Sequence, residues 1–195
     1  MSNMDEDRKY NGICENIKII RENIAEAAIK SGRKPEDVKL MAVTKTVSAE
    51  RINYAIENCG IDLIGENKVQ EFISKKDELK LESCAAHLIG HLQTNKVKQI
   101  VPHVSMIQSV DSIKVAGEIS KASKSVDKTT DILLEVNIGG EKSKSGFNPE
   151  EIPEVVSQLS EIGNIRVRGL MTIPPICEDS QKNRCFFHNL YKLFV

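Results

Sequence analysis

The chain contains no tryptophan, and aromatic residues make up only 4% of its 195 positions. A surface built on stacked rings is therefore not in view, and the interior has to be aliphatic. Neither sign of charge dominates: 27 Lys and Arg stand against 28 Asp and Glu, a formal net charge of -1. No broad basic field points to nucleic acid or to an anionic membrane. No apolar run approaches the roughly 18 residues needed to cross a bilayer, and the opening MSNMDEDRKY is charged throughout. The five cysteines (Cys14, Cys59, Cys84, Cys177, Cys185) are odd in number, far apart and free of any C-x-x-C pair. That spacing argues against a disulfide framework or a zinc knuckle and for a reducing compartment. The expectation is a soluble cytoplasmic protein with neither membrane nor nucleic acid as partner.

What the chain does have is alternation. Ile13, Ile17, Ile20, Ile24, Ala27 and Ala28 recur at spacings of three and four before Gly32, which predicts an amphipathic helix over 12–31. VKLMAVTK (38–45) then reads as a buried strand, followed by Ser48 as the cap of a helix over about 49–58. The same step recurs. Strands at 61–67, 85–91, 104–110, 130–137 and 165–174 each lead into a helical stretch, the last starting near Asp179. Six nearly continuous apolar strands alternating with helices are the signature of an α/β chain with a covered parallel sheet. An open doubly wound sheet and a (β/α)8 barrel both fit, although 195 residues are few for a barrel of roughly 250.

The polar residues favour one end of those strands. Lys45, Asn67, His91, Ser109, Asn137 and Thr172 all fall at or near strand C-termini, the rim on which parallel α/β proteins build their sites. Lys45 reads either as a solvated charge on a buried stem or as a nucleophilic amine. Partial desolvation at an apolar rim would disfavour its ammonium form and leave it free to attack a carbonyl, that of a sugar or of a cofactor aldehyde. His87 and His91 lie four apart, but on a strand and without a third ligand nearby, so zinc is not expected. The loop from Gly139 to Phe147, with Lys142 and Lys144, could cradle an anion but matches no phosphate-binding motif and reads better as a solvated loop. Arg166 and Arg168 alternate on one strand face, suited to carboxylates or to ion pairs.

Six segments run in order along the chain: A-V-T-K-T at 42–46, G-E-N-x-V-Q-E at 65–71, H-L-I-G-H-L-Q-T-N-K at 87–96, S-V-D-S at 109–112, E-V-N-I with K-S-K-S-G-F at 135–147, and R-G-L-M-T-I-P at 168–174. Together they resemble the pyridoxal-phosphate homeostasis proteins, relatives of the N-terminal domain of alanine racemase. The resemblance implies a single-domain (β/α)8 TIM-type barrel of the fold-type III class over 1–195, with about six of the eight βα units present. Pyridoxal 5'-phosphate is implied as the cofactor, held as a Schiff base on Lys45. By the same carry-over Asn67 and Met171 line the cofactor, His91 and Asn137 approach it, and Lys144 takes part in handling it.

The implied role is that of a carrier or regulator of intracellular pyridoxal phosphate, not an enzyme. Alanine racemase sets a tyrosine from a second, β-rich domain against its lysine; a chain of this length has no room for that domain, so proton transfer on both faces of a substrate is not expected. The implied partners are pyridoxal phosphate and the apoenzymes that use it, with the protein a monomer or weak dimer. Relatives continue through two more βα units that hold the phosphate and face the pyridine nitrogen. On that comparison the chain reads as C-terminally incomplete, and weak retention of the cofactor is expected. The rival readings are a pyridoxal-phosphate-dependent racemase-like enzyme and a cofactor-free Schiff-base lyase.

Overall fold

The computed structural model describes residues 10, 12–141, 144–177 and 180–195. Lys142, Asp179 and nearly all of the charged N-terminus lie outside them. Helix and strand alternate as expected: α1 (Ile13–Lys30), β1 (Ala42–Val43), α2 (Ala49–Cys59), β2 (Leu63–Glu66), α3 (Val69–Lys75), β3 (Ala85–Leu88), α4 (Val97–Ile100), β4 (Met106–Val110), α5 (Ile113–Ser125), β5 (Thr130–Glu135), α6 (Ile152–Ser160), β6 (Ile165–Met171) and α7 (Ser180–Phe194). The chain is α/β with parallel pairing. It divides into two compact units, one formed by residues up to Gly65 with Ser74–Ala85, the other by Glu66–Ile73 with Ala86–Val195.

In the first unit β1 pairs in parallel with β2 through Ala42 opposite Ile64 and Val43 opposite Gly65. The apolar run from Val38 was expected to be a buried strand of eight residues; only two form it, and Val43 is 49% exposed. Val43 lines a cavity of about 560 Å³ between α1, β1 and α2, which leaves that face of the strand open. By contrast, all four residues of β2 are buried. Helix α1 turns Ile13, Cys14, Ile17, Ile24 and Ala28 inward while Ile20 is exposed, a narrower apolar stripe than the spacing suggests. Arg21 reaches from α1 to donate to the carbonyls of Cys59 and Gly60. It thereby satisfies groups that the end of α2 leaves unpaired and places a cation at the negative end of that helix. Ser48 precedes α2 as expected, but its side chain makes no capping bond.

The first turn of α1 meets the last turn of α2, and there Cys14 and Cys59 form a disulfide, with their Cα atoms 4.8 Å apart. One bridge is thus present where the spacing of the cysteines suggested no disulfide framework. The partners are 45 residues apart in sequence, and only the packing of two amphipathic helices brings them within bonding reach. Tyr10 and Tyr54 cover the bridge, their ring centroids 4.2 Å apart, and the Tyr10 hydroxyl donates to Glu50 over 2.7 Å. The cysteine argument for a reducing compartment falls with this pairing. Cys84 is of the other kind: it is buried, and desolvation, then the Asp62 carboxylate, push its thiol up to about 11.

In the second unit β3, β4, β5 and β6 pair in parallel in that order. On β5, Thr130, Ile132 and Leu134 are fully buried while Asp131, Leu133 and Glu135 are only partly so. The nearly uniform burial expected of these strands is therefore replaced here by a two-residue alternation. Helix α5, which packs on β5 and β6, contributes the buried Val115, Ala116 and Ile119, and Ser112 caps it by accepting from the Val115 N–H. The valine and isoleucine side chains contribute about 1.5–3 kcal/mol each on burial and the alanine methyl about 0.8. Helix α7 is less enclosed: Phe187, Tyr191 and Phe194 are more than half exposed. Among the described residues no helix is long and apolar enough to cross a membrane.

Closing a loop of this length lowers the entropy of the unfolded chain by an amount worth about 4 kcal/mol. Reducing the bridge, or replacing both cysteines by serine, should therefore lower the urea midpoint, with a loss of about 2–4 kcal/mol. Identical midpoints for oxidised and reduced protein would show that the bridge does not bear on stability.

Candidate functional site

The sequence-expected residues fall where strands end. In the first unit Lys45 is the second residue past β1, within the tight turn Thr44–Val47 that leads to α2, and its side chain is exposed. The desolvated amine read from the apolar run is thus not what the structure presents. The backbone around it is closely held. Thr44 donates its N–H to the Gly65 carbonyl (3.0 Å), and Val47 donates its own to Thr44 (3.1 Å). Thr46 takes φ 61°, a left-handed conformation rare for a β-branched residue. Its hydroxyl donates to the Lys45 carbonyl over 2.7 Å.

The other five residues belong to the second unit. Asn67 follows β2, and Gly90 packs so close to its backbone that a Cβ at position 90 would lie 2.2 Å from the Asn67 carbonyl oxygen. Only glycine fits such an approach. Ser109 on β4 donates to the Gly90 carbonyl over 2.7 Å, fixing the same segment from the other side. His91 places Nδ1 2.9 Å from the carboxylate of Asp111, which is mostly buried while the imidazole is mostly exposed. His87 is oriented separately, its Nδ1 2.8 Å from the Gln108 amide. The two histidines therefore serve different partners.

At the end of β5 the loop expected to be solvated folds back on the strand. Val136 bridges Phe147 in parallel, Asn137 donates its N–H to the Phe147 carbonyl, and Phe147 donates to Glu135. Gly146, at φ 115°, permits the crossing, because a Cβ there would lie 2.8 Å from the Asn137 nitrogen. The Asn137 side chain is engaged in the loop: it donates to the Glu141 carbonyl (2.9 Å) and accepts from the Glu141 N–H (3.2 Å). Lys144 contacts the Glu141 carboxylate at 2.5 Å and the carbonyls of Ile173 and Pro174 at 3.3 Å. Met171, the last residue of β6, accepts at its carbonyl from the Val136 N–H, and Thr172 donates its hydroxyl to Val136. Arg166 and Arg168 both turn to Asp131, at 3.6 and 3.5 Å, as half-exposed pairs that contribute little.

Two residues of this region were not singled out in the sequence. Asp111, inside S-V-D-S, gives no signal of its pairing with a histidine on another strand. Glu135, inside E-V-N-I, is half-buried; desolvation, reinforced by Asp111 and opposed by His91, raises its carboxyl above the usual range. His91, Asp111 and Glu135 thus form an interacting acid–base cluster at the ends of β3, β4 and β5.

Parallel βα steps with polar side chains at the strand ends define an α/β chain of the kind that builds (β/α)8 barrels. The family can be stated more closely. The chain belongs to the alanine racemase N-terminal domain family, whose model matches residues 16–192. Over 180 residues it is 41% identical to a pyridoxal phosphate homeostasis protein of Aquifex aeolicus, a match covering 92% of this chain and 78% of that one. A crystal structure of a protein of unknown function from Bifidobacterium adolescentis superposes with TM-score 0.88 at 34% identity, over 96% of this chain and 79% of the other. PipY of Synechococcus elongatus, solved with pyridoxal phosphate bound, superposes with TM-score 0.74 at 30% identity, over 88% of this chain and 80% of its own.

The Glu135 carboxyl carries a pH signature. Because its folded pKa is raised, the folded chain binds more protons than the unfolded one between the ordinary value of 4.5 and the raised value. Stability contributed by this group is therefore present at low pH and is lost as pH rises through that window. Glu135→Gln should melt at or above the wild-type temperature at neutral pH, with the gap closing towards acid. A gap that is constant with pH would remove the titration from the account.

Proposed function

We propose that this protein binds pyridoxal 5'-phosphate and takes part in its intracellular homeostasis, holding the cofactor as a Schiff base on Lys45. The observation that carries the reading is the built turn around Lys45: an exposed primary amine on a backbone held by hydrogen bonds. An exposed amine on a rigid mount suits attachment of an aldehyde, because little ordering is left to be done on binding. The names of the relatives and the ligand of PipY support the choice of aldehyde. The cofactor would supply an electron sink, and this chain would supply its attachment point and polar surroundings.

The reading assigns lesser roles in binding to Asn67, His91, Asn137, Lys144 and Met171. For His91 the Asp111 carboxylate holds the ring in one orientation and leaves Nε2 for a ligand. Asn137 and Lys144 would act as parts of the folded-back loop, since both are engaged with Glu141. The protein is read as a cytoplasmic carrier or regulator without catalytic activity, a monomer or weak dimer that passes the cofactor to apoenzymes. Residues 1–195 are read as one domain.

Titration with pyridoxal phosphate, followed by borohydride reduction and peptide mapping, tests the attachment: a pyridoxyl group on Lys45, lost in Lys45→Ala, is expected. Labelling spread over surface lysines and unchanged in Lys45→Ala would overturn it. α-Proton exchange on amino acids that depends on Lys45 would overturn the non-catalytic reading. For the single domain, one calorimetric transition whose van't Hoff and calorimetric enthalpies agree is expected, and two separable transitions would sink it.

A further inference from the structure

Lys75, the last residue of α3, is a buried lysine, 9% exposed, in the first unit. Its Nζ donates to the Thr44 carbonyl over 2.9 Å and contacts the Val47 carbonyl at 3.4 Å. Those are the first and last residues of the turn that carries Lys45. The Thr44 carbonyl therefore accepts twice, from the Val47 N–H that closes the turn and from the Lys75 ammonium. The turn needs such support. Thr46 stands at the third position of the turn with φ 61°, where glycine or asparagine is the usual choice. A left-handed β-branched residue costs on the order of 1–3 kcal/mol and persists only when its surroundings over-determine it.

The choice of side chain is informative. If position 75 served packing alone, methionine would fill a similar volume without the cost of taking an ammonium out of water. A lysine there is worth that cost if the carbonyls it meets have to stay in one place. We propose that Lys75 is a positioning residue for Lys45, its ammonium tying the Thr44 and Val47 carbonyls so that the turn presents the Lys45 amine in a single geometry. The inference rests on the reading that Lys45 is the attachment residue, and it adds a requirement outside the residues that touch the cofactor.

The test compares wild type, Lys75→Met, Lys75→Arg and Lys45→Ala in the full chain, with Ile119→Val as a core-trimming control on α5. Covalent binding is read from the absorbance titration and the borohydride-trapped fraction on Lys45, corrected for folded fraction by circular dichroism. Amide exchange at Val47, measured without ligand, reads the turn itself. Lys75→Met should lower the covalent binding constant by about 10- to 100-fold, the range for lost support of a reactive group, and should speed Val47 exchange. Lys75→Arg, which keeps cationic donors of similar reach, should restore most of both, while Ile119→Val should melt earlier without changing either.

Lys75→Gln covers the case in which Lys75→Met does not fold. It removes the charge but keeps a polar donor, and its shorter reach cannot tie both the Thr44 and Val47 carbonyls, so it should lower the binding constant and speed Val47 exchange. Wild-type labelling of Lys45 in Lys75→Met, or in Lys75→Gln if that variant has to decide, would overturn the proposal while leaving the assignment of Lys45 intact. Failure of wild type itself to label Lys45 would instead remove the function reading and this proposal with it.

Discussion

Backbone carbonyls that run out of partners where a strand or helix ends have to be met by something, and in this chain side chains from neighbouring elements meet many of them. Lys75 serves Thr44 and Val47; Lys128, whose half-buried ammonium has its pKa lowered by desolvation, serves Val101 and Val104; Arg21 serves Cys59 and Gly60. Ser109 serves Gly90, Thr172 serves Val136, and Asn137 serves Glu141. A buried carbonyl without a donor costs about 1–3 kcal/mol, so these contacts fix the ends of strands, helices and loops, most of them from elements distant in sequence. The residues at those ends inherit their positions from this satisfaction of the backbone.

That dependence explains which parts of the structure were legible in the sequence. Alternating apolar runs and amphipathic stretches predicted the order of all six strands and the α/β class, because periodicity reports burial directly. Strand lengths were less legible. VKLMAVTK yields only the two residues of β1, because pairing length depends on what lies beside a strand and not on its hydrophobicity. The segment after Leu88 leaves β3 so that Gly90 can pass against Asn67, a close approach marked in the sequence by nothing more than a single glycine.

The site was legible in its residue types and not in their partners. Lys45, Asn67, His91 and Asn137 could be picked out by position at strand ends, but Asp111 and Lys75 could not, since each acts on a residue twenty or more positions away in sequence. The Cys14–Cys59 bridge was hidden for the same reason. In the loop from Gly139 to Phe147, glycines and lysines suggested solvent, whereas Gly146 makes the return to β5 possible and Lys144 spans to Ile173 and Pro174. Composition describes what a segment can do alone; these contacts arise from what lies opposite it.

Gly90 shows what this construction means for reading variants. A side chain there would push on the Asn67 backbone and disturb the Gly90 carbonyl that Ser109 holds, immediately before His91. In a genetic screen for loss of ligand binding, position 90 would score strongly through the backbone that a side chain there displaces. A map of sensitive positions drawn on this fold would trace the fastenings of the strand ends, and the binding surface would have to be recovered from the subset whose loss leaves the backbone unmoved.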